Sequence, residues 1–428
     1  MKTLITCLLF STASLQAAPL KAELSAKAAI LINTETGAIL YEKNAHLPLY
    51  PASITKVITA LYALEKKGNN LDALVCASQD AVATVHSNIR RSPLYKHPAY
   101  RLEFGGTHMG IKTGEILPFR TLIYGLMLTS GNDAANVIGQ YICGDVLTFM
   151  EELNTYVKTL GCLNTTLHTP HGLPHSDHKT TAYDMAKITQ RALKIPFFRT
   201  VVKTVKYPRA ATNKQPEAEL FQHNALVKSG KFHYPKAIGV KTGYTILGGY
   251  TLVASAEDTN RKLIAVVLGC EQIQQRYKDA ITLFEAAFNE EKCSRTLFSK
   301  AFDHFSCTLP GGTIPLEADL ATDLILEYYP SEEPLFTTEV QWDPPAFPIE
   351  IGAPVGQVAV LSKEGKVLMQ NPLFAVRPVD STFVFKTHLV WESGKAQLKR
   401  NIAFLVAIIG VAIVGMTFYF FHHKRRVS

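Results

Sequence analysis

Near the C-terminus, residues 402–421 ("IAFLVAIIGVAIVGMTFYFF") run for 20 positions without a charged side chain. A helix rises about 1.5 Å per residue, so the run reaches about 30 Å, the thickness of a hydrocarbon core. Aromatic residues fill 418–421, and Lys424, Arg425 and Arg426 follow, the order expected at a membrane interface. The run is therefore read as a transmembrane helix and 422–428 as its tail. Lys399 and Arg400 flank the other end, so charge alone fixes orientation only weakly.

The N-terminus supplies the missing direction. Lys2 precedes an apolar stretch at 4–10, and small residues lead to Ala17 and Ala18. This is the pattern of a secretory leader, 1–18, which would place the body of the chain outside the cytoplasm. Cys7 has no small residue before it, which argues against a lipid-modified leader.

The 428 residues leave room for more than one domain. The net charge of +8 is spread along the chain, without a Lys/Arg run interleaved with aromatics, so no nucleic-acid partner is expected. Six of the seven cysteines remain once the leader is removed. An exported chain permits disulfides, but their pairing cannot be read from sequence, and free thiols fit as well. No Cys-x-x-Cys occurs, and neither metal nor cofactor is expected.

The hydropathy pattern predicts strand, turn and strand over 28–42, then an amphipathic helix over 51–64. Helices are expected between 122 and 160, at 182–193 and at 274–288, with a Pro/His-rich loop at 168–181. From Ile238 the pattern alternates and predicts three strands by 270, the last two apolar enough for a sheet centre. Short alternating segments with a "KEGK" hairpin signal at 363–366 mark a small all-β domain at 293–385. A polar linker, 386–401, leads to the membrane run.

Three short motifs carry chemistry. Ser53 and Lys56 form Ser-x-x-Lys at the start of the 51–64 helix. Ser130, Gly131 and Asn132 form Ser-x-Asn within the helical region. Lys241, Thr242 and Gly243 form Lys-Thr-Gly on an expected strand. Each is weak alone. Ser176 with Lys179, and Lys112 with Gly114, repeat two of the patterns in the wrong order and setting. Ser53 could simply cap its helix, with Lys56 turned to solvent. The joint order and context favour chemistry: residues i and i+3 share a helix face, and a serine hydroxyl needs a base to become a nucleophile.

The chain resembles the D-alanyl-D-alanine carboxypeptidases among the low-molecular-mass penicillin-binding proteins. The likeness includes "LIYGLMLTSGNDAANVI", "LHTPHGL" and "GVKTGYTILGGYTLVASA" and covers roughly 28–385. It implies an α/β (α+β) catalytic domain of the β-lactamase/transpeptidase type at 19–290, with an antiparallel sheet and a helical lobe. A β-sandwich stalk and the membrane helix would follow. It implies Ser53 as acyl-ester nucleophile, Lys56 as general base and Ser130 as proton relay. Asn132, Lys241, Thr242, Gly243, Tyr244 and Arg276 would bind substrate, with the Ser53 and Tyr244 amides as oxyanion hole. The implied partners are peptidoglycan stems ending in D-Ala-D-Ala, β-lactams and the bacterial inner membrane. Two positions depart from the family pattern: Tyr244, where several members carry His, and Tyr183, where they carry Arg.

Three other readings compete. A class A β-lactamase needs a deacylating Glu, and "MEELN" at 150–154 has the wrong offset. A zinc hydrolase could use His171, His175 and His178, but Asp177 is the only nearby carboxylate. A non-catalytic wall-binding protein would not need the intact triplets.

Overall fold

A computed structural model describes residues 5–9, 18–90, 92, 94–363 and 365–424. The leader positions 1–4 and 10–17, the cleavage site at Ala17 and the end of the basic tail lie outside the described residues. The chain divides into two compact units. One is Gln16–Lys292 with Tyr329–Glu333. The other holds Met1–Leu15, Cys293–Tyr328 and Pro334–Ser428.

The first unit is built on a five-stranded sheet. Its strands are β1 (Ala28–Asn33), β2 (Ile39–Lys43), β3 (Ala237–Thr245), β4 (Gly249–Glu257) and β5 (Lys262–Cys270), in the order β3-β4-β5-β1-β2. Every pairing is antiparallel. The central strands are apolar on both faces, because each face meets a separate core. Ile30, Ile32, Val253, Ile264 and Val266 point into one core, and Leu31, Leu252, Ala254, Leu263 and Ala265 into the other. The edge strand β3 pairs on one side only, with β4.

A helical lobe covers the first face: α1 (Thr55–Lys67), α2 (Phe119–Met127), α3 (Asn132–Cys143), α4 (Val146–Thr159), α5 (Ala182–Ala192) and α6 (Pro196–Lys203). Their starts are written locally. The Asp145 carboxylate accepts from Thr148 N at 2.9 Å, and the Thr181 hydroxyl from Asp184 N at 3.0 Å. Pro196 stands at the first turn of α6, where its missing N–H costs nothing. On the second face, α7 (Gln275–Phe288) buries Tyr277, Leu283 and Phe284.

The second unit holds a six-stranded antiparallel sheet. Its central hairpin, Pro354–Ser362 with Val367–Ala375, turns through Gly365 at φ 79°, which glycine adopts without strain. The ribbon formed by Cys293–Phe298 and Leu324–Tyr328 packs Leu297, Phe298 and Leu324 against the Trp342, Val358 and Leu373 core, giving two β layers. Ile5–Leu9, within the leader expected from the sequence, pairs with Phe336–Trp342 at the sheet edge. An open edge accepts an extended segment in this way, and leader removal would uncover it.

The helix Phe383–Lys424 runs unbroken, so 386–401 is helical and continuous with the apolar run. Every described side chain from 401 to 416 is exposed.

Candidate active site

Ser53 does not cap the helix. It lies in a one-turn 3-10 segment, Ala52–Ile54, and the position before α1 is Ile54, which makes no side-chain cap bond. Its hydroxyl instead accepts a hydrogen bond from Lys56 Nζ at 3.0 Å.

Lys56 is fully buried, the second residue of α1 and one turn after Ser53. The apolar residues around it, Ile54, Val57, Ile58 and Leu61, are buried as well, so the helix cannot turn the lysine outward. Its ammonium has three acceptors: Ser53 Oγ, Asn132 Oδ1 at 2.7 Å and the His171 carbonyl at 2.7 Å. Burial drives its pKa well below the usual lysine range. The Lys241 charge pushes the same way, and Asp133 opposes both. A lysine so placed is biased towards the neutral form that can accept a proton.

Ser130 is buried and left-handed, at φ 61°. This uncommon conformation for a residue with a Cβ turns the chain sharply into α3. Asp133 fixes the turn from below, its carboxylate accepting from the amides of Met109, Gly110 and Ile111, each at 2.9 Å.

Lys241, Thr242 and Gly243 lie on edge strand β3. Lys241 is buried, donates to the Thr242 carbonyl at 3.1 Å, and has its pKa lowered to about 7 by burial and the Arg276 charge. A Cβ added at Gly243 would meet Thr251 Oγ1 and come within 2.9 Å of Ser53 N, so only glycine lets the strand pass this close to the serine. Arg276 is no solvated helix residue. It is buried and donates to the Gly243 carbonyl at 2.9 Å and to Tyr277 Oη at 3.1 Å. Its Nε is buried without a partner among the described residues.

A cleft of about 900 Å³ opens over Ser53 and Asn132. Segments at 103–107, 171–176 and 244–247 wall it. Tyr244 stands exposed on its rim, its ring 4.4 Å from that of Tyr250. Tyr183 lies apart from the cleft lining, 4.6 Å from the His46 ring.

Sequence reasoning missed the His171 carbonyl as a partner of Lys56, and the loop that presents it. His171 Nδ1 accepts from Leu173 N at 3.2 Å, leaving Nε2–H to donate to the Tyr100 carbonyl at 3.0 Å. His178 Nδ1 accepts from His168 N at 3.1 Å, and its Nε2–H donates to Thr55 Oγ1 at 3.0 Å. Burial holds both rings neutral, His178 down to about 3. Both nitrogens of each ring are thus occupied, which removes the His171, His175 and His178 zinc centre. The β-lactamase alternative also fails: Glu152 lies on α4, bonded to Tyr62 Oη and 3.6 Å from Lys66. The six cysteines are free thiols.

A serine beside a buried lysine, under a glycine-bearing edge strand, is the arrangement of serine–lysine acyl-transfer enzymes. The sequence profile described as D-alanyl-D-alanine carboxypeptidase, peptidase S11, matches residues 13–272, and the chain belongs to that family. It is 28% identical over 378 residues to the D-alanyl-D-alanine carboxypeptidase DacF of Bacillus subtilis, covering 86% of this chain and 91% of DacF. It is 33% identical over 269 residues to DacC of Escherichia coli, 61% of each chain. The Streptomyces K15 DD-transpeptidase structure covers 63% of this chain and 99% of its own, with 29% identity and TM-score 0.54. Francisella tularensis DacD, at 22% identity and TM-score 0.57, shares the fold over 85% of this chain and 96% of its own.

Proposed function

We propose that this chain is a serine D-Ala-D-Ala carboxypeptidase, tethered by its C-terminal helix to the outer face of a bacterial inner membrane. The observation that carries the reading is Lys56 Nζ: buried, 3.0 Å from Ser53 Oγ, with its pKa lowered. Neutral Lys56 takes the Ser53 proton, and Oγ attacks the carbonyl carbon of the penultimate D-Ala. The Ser53 and Tyr244 amides receive the developing oxyanion. Ser130 relays the proton to the departing amine, and free D-Ala leaves. Water then cleaves the acyl-Ser53 ester. Asn132 orients both Lys56 and the substrate amide.

Lys241, Thr242 and Arg276 recognise the terminal carboxylate, the two cations by charge and the threonine by its hydroxyl. A β-lactam acylates Ser53 by the same attack, but its leaving nitrogen stays tethered. The test is D-Ala release from a pentapeptide stem by the purified protein. No release, with no penicillin adduct, would refute the reading.

The pH profile follows from the two lysines. Lys56 must be neutral, so acylation rises with pH through its lowered pKa. Lys241 must be charged to attract a carboxylate, so kcat/KM falls as pH rises through about 7. The expected profile is a bell. Lys241→Arg keeps its charge and shifts only the alkaline limb upward, read from penicillin acylation rates across about pH 5 to 10. An unmoved alkaline limb would assign that ionisation elsewhere.

A further inference from the structure

The loop that presents the His171 carbonyl to Lys56 carries a second cluster, which the acyl-transfer chemistry leaves unused. His168 and His175 stack face to face, ring centroids 3.8 Å apart and planes 18° from parallel. The Asp177 carboxylate lies beside them. One ligand atom from each of the three falls within 4.8 Å of the others.

Their donors are open. Neither ring nitrogen of His168 has a hydrogen-bond partner among the described residues; its backbone N–H alone is used, donating to His178 Nδ1. His175 Nδ1 accepts a long bond of 3.3 Å from Asp177 N, and its Nε2 is free among the described residues. Asp177 accepts from Ser176 Oγ at 3.2 Å. Burial lowers the His168 pKa, the neighbouring His175 lowers it further, and Asp177 opposes them.

We propose that His168, His175 and Asp177 bind one divalent transition-metal ion of the Zn²⁺ type, and that its occupancy slows acylation of Ser53. Two imidazole nitrogens and one carboxylate oxygen suit Zn²⁺, with water completing the shell. Near-parallel rings aim their lone pairs side by side. Capture therefore needs the rings to splay and the ligand atoms to close to roughly 3.4 Å, the spacing set by tetrahedral Zn–N bonds of about 2.1 Å. His168 and His175 are half-buried and Asp177 is exposed, so these side chains have room to rotate.

The link to Ser53 is the loop itself. Its base is closed by the antiparallel bridge of Thr166 with Lys179. His178 N donates to the His175 carbonyl at 3.0 Å. Between these ties, the Pro170 carbonyl accepts from Thr59 Oγ1 at 2.6 Å and the His171 carbonyl from Lys56. His175 is also part of the cleft wall. A metal joining His168 to His175 and Asp177 cross-links the stretch that carries the Pro170 and His171 carbonyls, and so ties the cleft wall to the partner of Lys56.

The binding half of this proposal is independent of the proposed function; the kinetic half rests on it. The experiment uses tag-free full-length protein, cleared of metal with a chelator. Co²⁺ is titrated by its visible absorption, and Zn²⁺ by calorimetry and by displacement of Co²⁺. The expected result is one Zn²⁺ per chain at micromolar concentration, with a nitrogen/oxygen cobalt spectrum free of thiolate charge transfer. His168→Ala and Asp177→Asn should each weaken binding at least tenfold, whereas Cys76→Ala/Cys293→Ala should not.

Micromolar Zn²⁺ should slow penicillin acylation severalfold in the wild type and leave His168→Ala unaffected. Circular dichroism and melting check that each variant is folded. No saturable binding, or binding unchanged in folded His168→Ala, overturns the site. Binding without a change in acylation rate overturns the coupling. Failure of acylation in metal-free wild type would count against the proposed function instead.

Discussion

Replacing Ser53 by Ala lowers kcat for D-Ala release by a factor on the order of 10⁶, the loss found when a serine nucleophile is removed. The fold should survive, because the Ser53 side chain caps no helix and, among the described residues, its hydroxyl bonds only Lys56. Melting within a few degrees of wild type is expected, since loss of one acceptor of buried Lys56 costs about 1 kcal/mol. Lys56→Ala should reach a similar loss, and the double variant should be no worse, because the two act as one unit. Lys56→Ala is the less clean test. It empties a buried position and strips the donor from Asn132 Oδ1 and the His171 carbonyl. Turnover of Ser53→Ala within about tenfold of wild type would exclude Ser53 as nucleophile.

Gly172→Ala should be the most damaging conservative change outside the motifs. Gly172 sits at φ 90°, and an added Cβ would drive into the Ala52 carbonyl, 2.5 Å from its carbon, and to 2.8 Å from Thr55 Oγ1. None of these atoms can retreat freely. Thr55 Oγ1 itself donates to Ala52 O at 2.8 Å and is bonded to His178. The left-handed conformation costs roughly 1–2 kcal/mol, and overpacking adds about 1–3 kcal/mol. A total near 3 kcal/mol lowers the melting temperature by about 6–12 °C. Acylation should fall with it, because moving the loop takes the His171 carbonyl from Lys56. Gly144→Ala is the control: it has φ 88° but nothing within 4 Å of an added Cβ. Equal melting of the two variants would show that contact with the Ala52 turn does not hold the loop.

The order of the three motifs was enough to gather Ser53, Lys56 and Asn132, because each sits on an element whose periodicity is plain in the sequence. The strands β4 and β5 were equally legible, because strands covered on both faces read as continuous apolar runs, and β3 was legible by its alternation. Arg276 was legible only through the family resemblance, which implies an Arg at that spacing after β5; its burial against the Gly243 carbonyl was not legible. The His171 carbonyl was invisible, since a backbone acceptor has no side-chain signature. So was the Asp133 cradle, which joins amides 22 to 24 residues away. The helix-cap reading of Ser53 failed because the chain enters α1 through a 3-10 turn, which frees the hydroxyl for Lys56. The histidines misled as a group: burial and full hydrogen bonding neutralise His171 and His178, and only the backbone path of the loop brings His168 to His175.

The most direct test of the account is the mass of the intact protein after incubation with benzylpenicillin, followed by peptide mapping. One added penicilloyl group is expected in the wild type, carried by the peptide containing Ser53, and none in Ser53→Ala. An adduct on any other residue, or an undiminished adduct in Ser53→Ala, would contradict it.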